Sequence, residues 1–271
     1  MVIFIPMAPR LITACIVSLV VLSSLGAQRV IKPKLVEIDW KGIIYKKEWS
    51  IDLRVHEDGA AIAYNVGEIK SYNKTKFYHL ELGYIRDSRE KTQTKFSSLG
   101  RSGSYAFGKI NSLINLRGGF GTKKYLSEKE KRNGLAVGYV YEIGPSLALL
   151  KPYKLDLIYV EVIDNQQVPT IRSESFSADN ADKFLDEGSI SSRSSFFSGF
   201  DELKVRAGLQ AKLGLHLGLG AFDEYVKAFE TGIMVDAFPS KIPIVVETEE
   251  VSNSRFFFKL YLNFQFGRRS N

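Results

Sequence analysis

Hydrophobic and polar residues alternate with a period of two over long stretches of this chain. From Leu203 to Gly220 the odd positions read Leu, Val, Ala, Leu, Ala, Leu, Leu, Leu, Leu. The even positions read Lys, Arg, Gly, Gln, Lys, Gly, His, Gly, Gly. Successive side chains of a strand point to opposite faces, so this segment is a strand with one apolar and one polar or glycine face. Wound as a helix, it would put Lys and Leu on every side. The pattern recurs with Phe256, Phe258, Leu260, Leu262, Phe264 and Phe266 opposed to Arg255, Lys259, Asn263 and Gln265. It recurs again at Leu135–Ile143, Tyr78–Tyr84 and Tyr225–Val235, and more weakly at Trp49–Val55, Gly59–Val66, Ile114–Phe120 and Tyr153–Val160. With Leu35–Tyr45 as an additional first strand, the number expected is ten, within a range of 8–12.

The residues on the polar faces separate two architectures. A soluble sheet turns large charged groups to water and has no use for glycine there. A narrow closed barrel surrounded by lipid turns its polar residues inward, where small residues relieve crowding. Long charged residues alternating with glycine meet the second demand, and aromatic residues at stripe ends (Tyr78 and Tyr84, Phe256 and Phe266) suit interfacial girdles. The expected fold is therefore all-β, an antiparallel up-and-down transmembrane β-barrel occupying residues 49–271. Residues 28–48 are an N-terminal extension or first strand. Glu57-Asp58-Gly59, Lys151-Pro152 and 221–224 read as short turns, and 126–134, 164–201 and 239–254 as long loops.

Residues 1–27 have the three parts of a signal peptide: Arg10, an apolar stretch from Leu11 to Leu22, and small residues at Ser23–Ala27. Export to a cell outer membrane is the matching expectation. Cys15 is the single cysteine and lies in that segment, so the processed chain would have no disulfide, thiol chemistry or Cys-based metal site. The chain has 37 Lys and Arg against 30 Asp and Glu, a net charge of +7 that falls to +6 without Arg10. In an exported protein such mild basicity fits a lipid surface better than nucleic acid, which is not an expected partner.

Part of the chain resembles an uncharacterised family of outer-membrane β-barrel proteins from Bacteroidota. The resemblance rests on Gly108-Lys109-Ile110-Asn111 leading into Leu116-Arg117-Gly118-Gly119-Phe120-Gly121, and on Gly144–Pro152. It rests also on Asp236-Ala237-Phe238-Pro239-Ser240-Lys241-Ile242-Pro243-Ile244 and on the terminal strand Phe256–Gly267 with its basic tail. These segments span residues 105–267. The resemblance implies a barrel in an outer membrane and no activity, so it carries over no catalytic residue.

Chemistry-bearing motifs are few. There are three histidines, His56, His79 and His216, none spaced as a zinc ligand pair, and no Gly-x-Ser-x-Gly segment. Gly118, Gly119 and Gly121 precede no amphipathic helix, so they read as relief from crowding rather than as a phosphate loop. No catalytic residue, metal or cofactor is expected. The interior charges are the more informative feature, and the candidate network is Glu81, Arg117, Lys204, Arg206, Lys212, His216, Glu230, Asp236 and Lys259. Arg255, Glu142 and Asp156 join it in the inward count of six positive and five negative residues. Near balance implies an interior filled by ion pairs, because unpaired buried charge is costly. For the hairpin joining Leu203–Gly220 to Tyr225–Ala237, a register setting His216 opposite Glu230 and one displaced by two residues both preserve the faces. The expected role is a non-enzymatic barrel, structural or part of an envelope assembly or secretion complex. Outer-membrane lipids and other envelope proteins, reached through the long loops, would be its partners. A small-solute channel and a lipid-modifying enzyme are the alternatives.

Overall fold

The computed structural model describes residues 45–96, 102–126, 135–163, 166–219, 224–248 and 251–271. The expected signal peptide, residues 1–27, and most of the expected 28–48 extension lie outside the described residues. The strands are β1 (Lys47–His56), β2 (Gly59–Ser71), β3 (Lys74–Ile85), β4 (Lys91–Phe96), β5 (Ser102–Phe107), β6 (Asn111–Tyr125) and β7 (Ala136–Pro152). They continue as β8 (Lys154–Ile163), β9 (Gln166–Ser175), β10 (Ile190–Arg193), β11 (Lys204–Gly218), β12 (Tyr225–Ala237) and β13 (Phe256–Ser270), with one helical turn, α1 (Ala181–Phe184).

Eight strands close into an antiparallel barrel in the order β1-β2-β3-β6-β7-β11-β12-β13, with β13 returning to β1. The count is eight and not ten. The Tyr153–Val160 stripe forms β8, which leaves the barrel and pairs with β9 and β10 in a three-stranded sheet. Alternation reports that a segment is a half-buried strand and is silent on which sheet it joins. Tyr153, Leu155 and Leu157 bury against Tyr105, Ala106, Phe184 and Ile190 in a core outside the barrel. The proposed extra strand at Leu35–Tyr45 lies almost wholly outside the described residues, and β1 closes directly on β13 from Lys47.

The pairing registers fix the barrel's shape. Following paired residues from His56 through Tyr261, Gly232, Gly214, Val140, Lys123, Thr75 and Ile69 returns to β1 at Lys46, ten residues from the start. A stagger of ten over eight strands tilts them by roughly 40° and gives a backbone radius of about 8 Å, room for side chains and little else. The β11–β12 hairpin takes the register that sets His216 opposite Glu230 and Gln210 opposite Asp236.

At the lower end lie the turn at 72–73, Leu126 and Leu135, Leu219 and Glu224, and the C-terminus. The upper end carries the Glu57-Asp58 turn, the β4–β5 hairpin, the 153–203 excursion and the 238–255 strap. Leu126 and Leu135, which flank the expected loop 126–134, are thus at the opposite end from the β7–β11 and β12–β13 connections. Lys151-Pro152 is no turn but the end of β7, where Lys151 opposes Ser112 and Pro152 opposes Asn111. Much of 164–201, expected as a loop, is built into β9, α1 and β10.

The strap closes the upper mouth. Its Phe238, Ile242, Ile244 and Val245 pack with Ile85, Leu113, Ala148, Leu150 and Phe257 in an apolar plug. It is tied down by Ile110 N–H donating to the Ile244 carbonyl (2.8 Å), and the Asn111 side-chain amide donating to the Pro243 carbonyl (2.7 Å). The segment Asp236–Ile244 singled out in the sequence is the end of β12 and this strap.

The outer wall is apolar around its whole circumference. Leu53, Tyr64, Leu80, Phe120, Tyr141, Leu213, Ile233 and Phe264, one from each barrel strand, are all exposed. On β11 the stripe Leu209–Leu219 and on β13 the stripe Phe256–Phe266 are each ten residue steps long. At about 3.3 Å per residue and the tilt above, that is a belt roughly 25 Å tall. Lys47, Lys76, Lys227 and Arg268 lie exposed on the outward register near its lower edge. Among the described residues no helix is long and apolar enough to cross a membrane, a fact without bearing on strands.

Candidate functional site: the polar interior

Inward positions hold the charge. Among the described residues, buried acids inside the barrel are Glu48, Asp52, Glu81, Glu142, Glu230 and Asp236, and buried bases are Arg54, Arg117, Lys123, Lys212, Lys259 and Arg269. Six oppose six.

Glu81 is the hub, with no exposed surface. Its carboxylate accepts from Arg117 at 2.5 Å, from Lys212 at 2.6 Å and from Arg54. Arg117 turns the rest of its guanidinium to Asp236, with Nε and Nη2 donating at 2.8 and 2.6 Å, a two-pronged pair. Lys212 also reaches Glu142 at 2.9 Å, and Arg54 lies within 4.0 Å of Asp52, Glu142 and Glu230. Arg54 stacks over the Tyr261 ring at 4.9 Å, and the Tyr261 hydroxyl donates to Glu230 at 2.7 Å. His216 approaches Glu230 at 3.5 Å and the Tyr125 hydroxyl at 3.3 Å, while His79 meets Gln210 at 2.9 Å.

A second cluster fills the lower end. Lys123 donates to Glu48 and Gln265, each at 2.8 Å, and Arg269 Nε donates to Glu48 at 2.8 Å. Asn263 and Gln265 donate to Asp52 at 2.7 and 3.0 Å and join it to the centre. Inward glycine supplies the space. A Cβ on Gly214 would run into the Tyr261 hydroxyl and sit 3.0 Å from the Thr231 carbonyl oxygen. One on Gly121 would lie 2.5 Å from Phe77 Cζ.

Of the nine candidate residues, Glu81, Arg117, Lys212, His216, Glu230 and Asp236 form one connected network. Lys259 is buried inside but apart from it, its ammonium without a hydrogen-bond partner and 5.4 Å from the Phe257 ring centroid. Lys204 and Arg206 are exposed, which corrects their placement. They have the inward parity, but here β11 pairs only with β7, since its pairing with β12 begins at Leu209. Parity repeats along a strand and does not mark where the closed wall ends. Arg255 is exposed just before β13. Asp156 lies on β8, outside the barrel, and accepts from Ser192 and Ser194 at 2.8 and 2.6 Å.

Arg54, Asp52, Glu48, Lys123 and Arg269 are interior residues that the sequence reading did not select. A signal existed for the first three, because Glu48, Ser50, Asp52 and Arg54 alternate with Trp49, Ile51, Leu53 and Val55. His56 lies at the upper turn, where its Nδ1 accepts from the Asp58 amide at 3.2 Å. Among the described residues no group of three or more His, Cys, Asp or Glu side chains is arranged to hold a metal ion.

Fold and site together define a closed eight-stranded barrel, polar and packed inside, apolar outside. Comparison with known proteins finds no matching family model, no matching curated protein and no matching solved structure.

Proposed function

We propose that this protein is a small, non-enzymatic barrel of an outer membrane with a filled interior, serving structurally or as a component of an envelope assembly or secretion complex. The observation that carries the reading is the inside-out arrangement of the wall. A ring of exposed large apolar residues some 25 Å tall matches the apolar band of transmembrane barrels, and a water-facing wall has no use for it. Lysine and arginine near its lower edge suit stems lying on apolar surface with charged heads in water. The interior supports the non-conducting half of the proposal. Twelve charges balance within a radius that side chains fill, and the strap adds an apolar plug above them. The upper excursions, held on a rigid wall, are the surface for envelope partners.

Fractionation tests the location: the chain should sediment with outer membranes and need detergent for release, and recovery as a freely soluble protein would refute it. Planar-bilayer recording tests the interior: a silent bilayer is expected, and discrete conductance steps would refute a filled lumen.

A further inference from the structure

On the outer side of the wall, at the top of the apolar belt, β5 and the segment after β10 fold against the ends of β3, β6 and β7. They leave a cleft of about 280 Å³. Tyr84, the last residue of the outward stripe Tyr78–Tyr84, marks its lower edge. Ser112 and Lys151, directly opposed on β6 and β7, lie behind it. Ser112 is two residues beyond Ile114, the partner of Tyr84, and so roughly 5 Å higher along the barrel axis.

The cleft is strongly positive. Arg86, Lys109, Lys151, Lys154 and Arg193 line it, against a single lining carboxylate, Glu90. Glu90 is engaged by Lys109 at 2.7 Å and approached by Arg86 at 3.7 Å, and Lys154 pairs with Glu202 at 2.6 Å. Five cations against these two acids leave an excess of three. Lys151 is the extreme case. It is buried, its ammonium donates to the carbonyl oxygens of Phe196 (2.5 Å) and Ser198 (3.3 Å), and it lies 4.6 Å from the Phe196 ring centroid. The buried ammonium of Lys151 beside the exposed guanidiniums of Arg86 and Arg193 makes a like-charged set that a bound anion would complete.

We propose that this cleft binds the phosphate-bearing sugar headgroup of a membrane glycolipid, entering sideways from the bilayer surface. The proposal rests on the membrane-spanning reading above, which puts the top of the belt at headgroup level. A phosphomonoester carries about −1.5 to −2 charges and matches the excess better than a carboxylate does. The guanidinium forks of Arg86 and Arg193 suit two phosphate oxygens, and Lys109 and Lys151 add point charges behind them. Ser104, Ser112 and Ser195 also line it, and serine hydroxyls suit a sugar ring. The volume is near the lower end of small-ligand sites, enough for one sugar unit with its phosphate.

The test uses the full chain, purified in detergent and verified as folded by its heat-dependent gel mobility. Native mass spectrometry and thermophoresis would compare a phosphorylated glucosamine glycolipid, the same glycolipid after phosphatase treatment, and soluble glucose 6-phosphate. The phosphorylated glycolipid should bind at least tenfold more tightly than its dephosphorylated form. Arg86→Gln/Arg193→Gln, which changes two accessible side chains and leaves the wall intact, should abolish most of that preference. Equal binding of the two glycolipids, or a double variant that binds like the parent, overturns the proposal. Tighter binding of glucose 6-phosphate than of the glycolipid overturns the lipid source. Failure of the membrane reading is scored separately, by the fractionation above, since glucose 6-phosphate binding needs no bilayer.

Discussion

Replacing Glu81 by Gln keeps the shape of the side chain at the barrel's centre and removes its charge. Three cations meet this carboxylate: Arg117 at 2.5 Å, Lys212 at 2.6 Å and Arg54. Each keeps another acid, since Arg117 holds Asp236 at 2.6 Å, Lys212 holds Glu142 at 2.9 Å, and Arg54 lies 3.6 Å from Glu142. The loss is therefore that of one buried partner and not three times as much, about 3–5 kcal/mol. The control is Glu68→Gln. Glu68 pairs with Lys70 where both side chains are about half exposed, and it should cost no more than about 0.5 kcal/mol. Urea unfolding of the vesicle-inserted barrel, followed by tryptophan fluorescence, to which Trp49 on the outer face contributes, measures both. A Glu81→Gln loss below about 1 kcal/mol would refute the reasoning, because it would mean that water screens the three cations and the interior is wet, not packed.

Other substitutions test the wall, the packing and a loop anchor. Leu213→Arg, in the middle of the belt, should cost about 2–4 kcal/mol in a bilayer and Leu219→Arg, at its lower edge, about 0–1 kcal/mol. Equal, negligible costs would place the wall in water. Gly214→Ala should destabilise by roughly 1–3 kcal/mol in the same unfolding assay, because its methyl group must displace the Tyr261 hydroxyl from Glu230. A neutral result would mean that the interior repacks freely. In the β3–β4 connection, burial pushes the Asp87 carboxyl up, but Arg89, donating to both its oxygens at 2.7 and 2.6 Å, holds it below its ordinary value. Its contribution is complete above the unfolded value, about pH 3.9, and disappears as pH falls through the lower folded one. Pepsin should therefore spare this connection at pH 4 and cut it more readily near pH 2, whereas Asp87→Asn should be cut equally at both.

Faces were far more legible than neighbours. Leu203–Gly220 displays its two faces without any structure, and inward placement of Glu81, Lys212, His216, Glu230 and Asp236 follows from the period alone. Tyr153–Val160 shows the same period and lies in another sheet. Lys204 and Arg206 continue the inward parity of Lys212 beyond the point where β12 pairs with β11. In each case the misleading signal is local, while the deciding fact is which strand lies alongside. The cleft was the least legible feature, since Arg86, Lys109, Lys151 and Arg193 are scattered over more than a hundred residues with no motif among them.

The order of residues along the chain determined the strand period, the apolar outer face, and the charged and glycine-bearing inner face. Those follow from side-chain alternation, a property of single strands. Tertiary structure decided that eight strands close with a stagger of ten, that Glu81 becomes the shared partner of three cations, and that a strap seals the upper mouth. Closure depends on pairing between segments as distant as β1 and β13. Its geometry sets how much space the inward side chains share, and that space dictates which charges must meet.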